Sequence, residues 1–297
     1  MIRWTAAGAV ANPTTVQIRV QRSYPGRIRA GAPVPTRSMS PDELFDNIHF
    51  FTTGMNGPRS TPCTGLVLSG VAVARRTDTI EAIQTARKQG IEHVVLHLGG
   101  EDLSTLQITQ FEDIVDTIVV PVQPESVSLA DVLRVIRDAH KARLNVATNT
   151  VLTANALSGL TRTARSIGRA KPQSITYTYP FPINGNEATN APPPPRVMSA
   201  LRPALSELDR EGIHARIKGL PACHLGGDAH RLGRTSNRYY VDADHQCAEA
   251  MMFFPDVVRF FKGDACRFCA LDGECDGFFA TYLRRPGFPS LQPFESS

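Results

Sequence analysis

Between Ser40 and Gly219 the chain alternates short apolar runs with longer stretches of helical period, and this order restricts the possible folds more than any other feature. The segment Gly65-Leu66-Val67-Leu68-Ser69-Gly70-Val71-Ala72-Val73 is continuously apolar. Strands of that kind are covered on both faces and belong to parallel sheets. A helix over 79–88, stopped by Gly90, and a strand over 92–98 complete a βαβ unit. The apolar segment 114–122 follows, then a helix over 129–141 announced by Ser128 and Asp131, a strand over 144–149 and a helix over 154–167. A strand over 174–179, a helix over 196–211 and a strand over 213–219 close the series. Right-handed crossovers wind such an order into a parallel sheet or an open barrel. Upstream, residues 15–21 alternate apolar and polar side chains as a half-buried strand does. Ser40-Pro41-Asp42-Glu43 then opens a helix running toward Phe51.

The expected organisation is therefore tripartite: a β-rich segment and helix over 1–62, the alternating region over 63–220, and a C-terminal part over 221–297 where the alternation stops. At 297 residues the chain can bury its core without staples. Its 42% apolar and 20% charged residues argue against disorder. No apolar stretch reaches the length of a membrane span, and Met1-Ile2-Arg3-Trp4 lacks the apolar core of a secretory signal, so a cytoplasmic location is expected. The net charge of +4 is unevenly spread: no Asp or Glu precedes Asp42, whereas Arg3, Arg19, Arg22, Arg27, Arg29 and Arg37 do. Such a segment can meet phosphate or an acidic peptide, and a solvated surface is the favoured reading.

Five of the six cysteines lie beyond Pro221. Cys266, Cys269 and Cys275 form a C-x2-C-x5-C run, with Cys223 upstream as a fourth thiolate. Six cysteines are too few for a disulfide scaffold in a chain of this size, and soft thiolates gathered in one loop select zinc or an iron–sulfur cluster. Spacing alone does not separate the two. With Cys223 outside the set, three cysteines would leave one iron open. Cys247 reads as a free thiol. His93 and His97 stand four residues apart, but in the strand over 92–98 that spacing makes no helical ligand pair, no H-E-x-x-H pattern occurs, and His97 reads as a core residue. Glu101 and Asp102 follow a strand at the end where barrel enzymes keep functional groups, which makes them the candidate catalytic residues. The sequence holds no G-x-S-x-G elbow, P-loop or G-x-G-x-x-G fingerprint, which removes support from hydrolase, triphosphatase and Rossmann dehydrogenase readings.

Several groups of residues carry a resemblance. They are Gly99-Gly100-Glu101 at the end of the second barrel strand, Thr148-Asn149 with Thr150-Val151-Leu152, Pro182-x-x-Gly185-Asn186, Leu220-Pro221-Ala222-Cys223, and Cys266-x2-Cys269-x5-Cys275-Asp276-Gly277 with Tyr282. In this order, over residues 63–294, they resemble the radical S-adenosylmethionine (radical SAM) enzymes with a C-terminal auxiliary cluster domain of the SPASM or twitch type. The resemblance implies an α/β fold: a partial (β/α)6 barrel, a small N-terminal β segment and a C-terminal cysteine-rich cluster-binding module. It also implies one [4Fe–4S] cluster on Cys223, Cys266, Cys269 and Cys275, with zinc as the alternative. Gly99, Gly100, Glu101, Thr148 and Asn149 would be the remnant of a nucleoside pocket.

The departure from the family is as informative. The family's C-x3-C-x2-C loop after the first barrel strand is missing, because Gly65–Val73 is followed only by Ala74-Arg75-Arg76-Thr77-Asp78 and Cys63 precedes the strand. Without those thiolates no open-site cluster chelates S-adenosylmethionine, and reductive cleavage does not follow even if the molecule binds. The expected function is a degenerate radical SAM-like iron–sulfur protein, partner to a separate enzyme, that binds a peptide or small-molecule substrate or passes electrons. The alternatives are an enzyme using the barrel and cluster for other chemistry, and a zinc-stabilised binding protein. Neither a membrane nor a nucleic acid is an expected partner, since no stacked-aromatic or helix-turn-helix motif supports the latter.

Overall fold

Nine strands, each parallel to its neighbours, make the central sheet of the computed structural model. The structure describes residues 3–5, 8–9, 13–21, 37–54, 61–124, 126–181, 191–233, 238–250, 260–285 and 287–293. Pro182, Gly185 and Asn186 of the motif above, and Arg22, Arg27 and Arg29, lie outside the described residues. In chain order, β1 (Arg3–Thr5) and β2 (Gly8–Ala9) form a short antiparallel pair. Then come β3 (Thr15–Arg19), α1 (Pro41–Thr52), β4 (Gly65–Ser69), α2 (Thr79–Lys88), β5 (His93–His97), β6 (Thr117–Pro121), α3 (Leu129–Lys141) and β7 (Asn145–Val151). They are followed by α4 (Leu160–Arg169), β8 (Ser174–Thr178), α5 (Pro194–Arg210), β9 (Ala215–Lys218), α6 (Ala222–Leu225), β10 (Leu232–Gly233) and β11 (Tyr239–Val241). The chain ends on β12 (Phe260–Phe261), β13 (Phe278–Phe279) and α7 (Ala280–Leu283). The sheet runs β10-β9-β8-β7-β6-β5-β4-β3-β11.

Local chemistry sets the element ends. Ser40 and Glu43 close a capping box at the start of α1, each accepting from the other's backbone amide, at 3.2 and 2.8 Å. The apolar run 65–73 does not stay a strand throughout. Gly70 has φ +137 and Ala72 φ 49, so β4 ends at Ser69 and a 3-10 turn follows over Val73–Arg75. Likewise α4 begins at Leu160 and not at residue 154, because left-handed Gly159, φ +79, ends a series of turns just before it.

The strand over residues 15–19 was expected in a separate N-terminal segment, but it pairs with β4 through its whole length. Together β3, α1 and β4 are a βαβ unit of the sheet, so Gly99-Gly100-Glu101 follow the third of the sheet's strands in chain order, not the second. The cysteine argument survives this shift, since the loop after β3 also contains no cysteine. The C-terminal part is not wholly separate either. β10 and β11 lie beyond Pro221 and supply the two edges of the sheet.

That last arrangement forces curvature. Eight spacings of about 4.8 Å would hold the edges of a flat sheet about 38 Å apart. Gly233 at one edge and Tyr239 at the other are joined by six residue steps, which span no more than about 22 Å. The sheet must curl toward closure. Its outer face is the apolar one: Ile18, Leu68, Val94, Leu96 and Ile118 are fully buried together with Val135, Ile136 and Leu201 of the helices. The inner face carries Gln17, Arg19, Ser69, His97, Asn149 and Lys218 at the alternating positions.

Candidate functional site

Cys223, Cys266, Cys269 and Cys275 all line one small recess, with a cavity volume of about 20 Å³, bounded by Pro221, Ala222, Lys262 and Gly277. Short elements place them. Cys223 sits in α6 directly after Pro221, Cys266 in a 3-10 turn over Asp264–Phe268, and Cys275 just before the strand pair β12–β13 turns back. Gly277 is required there, because its φ is +86 and a Cβ would stand 2.3 Å from the Phe261 carbonyl oxygen. The Cys275 sulfur accepts from two backbone amides, Gly277 N at 3.3 Å and Ala222 N at 3.5 Å. Amides aimed at sulfur favour the thiolate.

Burial pushes the Cys223 and Cys275 thiols up, and Cys275 is drawn back by those two amides and by the Lys262 ammonium. The Cys266 and Cys275 sulfurs are near enough to raise Cys223 further. Crowded thiols of this kind stay protonated until a cation arrives, and a metal supplies it. Among the described residues, no three Cys, His, Asp or Glu side chains converge tightly enough to hold a single metal ion as they stand.

An aromatic belt fastens this recess to the sheet. The Tyr282 hydroxyl donates to the Pro180 carbonyl at 2.9 Å, its ring lies 5.5 Å from Tyr179, and Phe278 stacks 5.6 Å from Tyr179. Cys247 is elsewhere, with its amide on Asn47 of α1 at 2.8 Å. Cys63 is buried ahead of β4 and burial raises its thiol to about 12.

The second group of expected site residues lies at the C-terminal ends of the strands. Gly99 is pressed against the loop after β4, where a Cβ would meet Ala72 N and Gly70 O at 3.1 Å. Glu101 is exposed on the 3-10 turn Gly100–Asp102. Asp102 is fully buried, and its carboxylate accepts from the Gly99 amide at 2.7 Å. Burial raises its pKa, with the Gly99 and Ala74 amides opposing. Its work is to fix the turn. Thr148 and Asn149 point to opposite faces of β7: Thr148 is buried on the helix side, and Asn149 faces inward and accepts from Thr178 at 2.8 Å. Sequence reasoning placed Arg19 in a basic segment with a solvated surface as the favoured reading, and passed over the inner-face residues Lys218, Arg238 and Tyr240. The available sign was the recurrence of polar and charged side chains at every second position, Gln17 then Arg19 and Arg216 then Lys218.

Solved structures share the curled parallel sheet with helices outside it. Streptococcus suis SuiB bound to S-adenosylmethionine superposes with a TM-score of 0.58 at 9% identity, over 96% of this chain and 77% of that one. SuiB bound to its precursor peptide SuiA gives 0.59 at 9% identity, over 96% and 75%. Polyhistidine-tagged anSMEcpe with bound AdoMet gives 0.59 at 11% identity, over 95% and 89%. These are radical SAM enzymes, and likeness at such identity establishes the α/β fold. No protein-family model matches the sequence, and no curated protein is similar to it in sequence. No helix among the described residues is long and apolar enough to cross a membrane.

Proposed function

We propose that this chain is an iron–sulfur protein on a radical SAM fold without the radical chemistry. It presents its barrel to a peptide or small-molecule substrate, or passes electrons, as the partner of a separate enzyme in a modification or biosynthetic pathway. The observation that carries this reading is the meeting of Cys223 with the sequence-distant run of Cys266, Cys269 and Cys275 around one recess, with two amides on the Cys275 sulfur. The residues fit a [4Fe–4S] cluster held by Cys223, Cys266, Cys269 and Cys275. Tetrahedral zinc on the same four thiolates is the alternative. A bound cluster would supply one-electron redox capacity. Lys262, paired with Asp272 at 2.8 Å, brings positive charge to the recess and favours the thiolate form.

Six cysteines occupy positions 63, 223, 247, 266, 269 and 275, so no loop at the strand ends of β3 to β8 can gather three thiolates. This supports binding without cleavage of S-adenosylmethionine at Gly99, Gly100, Glu101 and Asn149. A peptide as substrate class draws support from the SuiB complex with precursor peptide SuiA. The reading as a self-sufficient enzyme loses its acid–base pair, since Asp102 is committed to the Gly99 amide. The reading as a nucleic-acid binder loses two of its arginines, since Arg19 faces inward and Arg37 pairs with Glu43.

The test is to reconstitute the protein anaerobically and add dithionite with S-adenosylmethionine. The cluster absorbance should bleach on reduction while no 5′-deoxyadenosine forms. Stoichiometric 5′-deoxyadenosine would overturn the reading.

A further inference from the structure

The concave face of the sheet holds a group of charges that the cluster and the strand-end loops leave unexplained. Lys218 closes β9, Arg19 closes β3 and His97 closes β5. Arg238 stands two residues before Tyr240, which pairs with Gln17 of β3. In sheet order β9 and β5 are separated by three strands. Yet the curl brings Lys218, Arg238 and Arg19 close enough to act on the His97 ring. Burial first, then these three charges, push His97 down to about 3. The ring stays neutral.

The group is organised by polar contacts. Arg238 Nη1 donates to Gln17 Oε1 at 3.1 Å, and Gln17 Nε2 donates in turn to Ser69 Oγ at 3.3 Å. The buried Arg238 Nε has no partner. Among the described residues the Lys218 ammonium has no carboxylate on it, although Asp276 is near enough to raise its pKa against burial, Arg238 and Arg216. Among the described residues, Lys218 thus stands with the Arg238 and Arg216 cations against the one acid, Asp276, that acts on it. Unlike charges on an outer surface, these lie within the curl, where low-dielectric walls focus the field. His97, Lys218, Arg238 and Tyr240 are all partly reached by solvent.

We propose that the inner face of the sheet binds an oxyanion, a carboxylate or phosphate group, between Lys218 and Arg238 with Arg19 and His97 alongside. An anion offsets the cation repulsion, accepts from Arg238 Nε and the Lys218 ammonium, and takes a hydrogen bond from neutral His97. The inference rests on the sheet and needs no cluster, so it stands or falls apart from the iron–sulfur reading. The anion can be a free small molecule or an acidic side chain of a peptide, and the chemistry is the same.

The experiment follows the His97 ring resonance by carbon-edited NMR, assigned with His97→Gln, in the full chain as purified. Inorganic phosphate and citrate serve as free anions, a blocked Glu-containing tripeptide as the peptide source, and sodium chloride at matched ionic strength as control. At least one of the three anions should shift the resonance saturably, and Lys218→Gln, which breaks no hydrogen bond, should weaken that binding roughly tenfold. Arg238→Gln should do the same. The strongest of the three probes identifies the source. No saturable shift with any anion, a shift that chloride reproduces, or equal binding in both variants with unchanged melting temperatures would overturn the proposal.

Discussion

The thiol recess and the curled sheet are built on opposite principles. The sheet is held by its own core, with continuous apolar positions on one face and long amphipathic helices over them. The recess is made of two-residue strands, 3-10 turns and four-residue helices, and three of its four cysteines are only partly buried. Elements that short cannot hold themselves in water. What remains to organise them is the aromatic belt on Tyr179 and whatever the four thiols bind. On the proposed reading, the same chain joins a scaffold stable by burial to a module stable by ligation.

The sharpest way to break the comparison is to remove the ligands. Cys266→Ala with Cys269→Ala should abolish metal content and leave the segment after β11 open to limited proteolysis, while the far-ultraviolet circular dichroism of the sheet survives. Next in size is the reverse experiment. Leu68→Ala at the centre of the sheet should cost about 2–5 kcal/mol in denaturant unfolding, with metal content per folded molecule unchanged. Between the two regions, Tyr282→Phe removes the bond to the Pro180 carbonyl and should cost about 1 kcal/mol, seen as earlier release of the C-terminal module in a proteolysis series. If that variant destabilised sheet and module equally, the division into two kinds of stability would fail.

The smallest effect is at α1. Glu43 is held down to about 2, first by the Ser40 amide and then by Gln246 and Arg37. A carboxylate whose folded pKa lies below its unfolded value contributes stability that is present above about 4.5 and lost as pH falls toward about 2. Glu43→Gln should therefore flatten the acid limb of stability in that window and leave neutral metal binding alone. A parallel acid limb in the variant would show that the capping box contributes nothing.

How much of this was legible in the sequence depended on whether the determinants were local. α2 and α3 fall where period and end residues placed them, at Thr79–Lys88 and Leu129–Lys141. The run after Gly65 stops being a strand at Ser69 because apolar continuity does not report a backbone reversal, which Gly70 and Ala72 impose by positive φ. The edges β10 and β11 were invisible, since strands of two and three residues carry no period. That Cys266, Cys269 and Cys275 share one recess was legible because their spacing is local. The inner-face group was not, since Arg19, His97, Lys218 and Arg238 meet only when the sheet curls.

The central claim, a scaffold that stands by burial carrying a module that stands by a cluster, is tested most directly by iron, sulfide and zinc analysis with an absorption spectrum after anaerobic purification. About four irons and four sulfides per chain, with a broad brown charge-transfer band, is the predicted result. One zinc and no sulfide would contradict it and make the recess a structural zinc site.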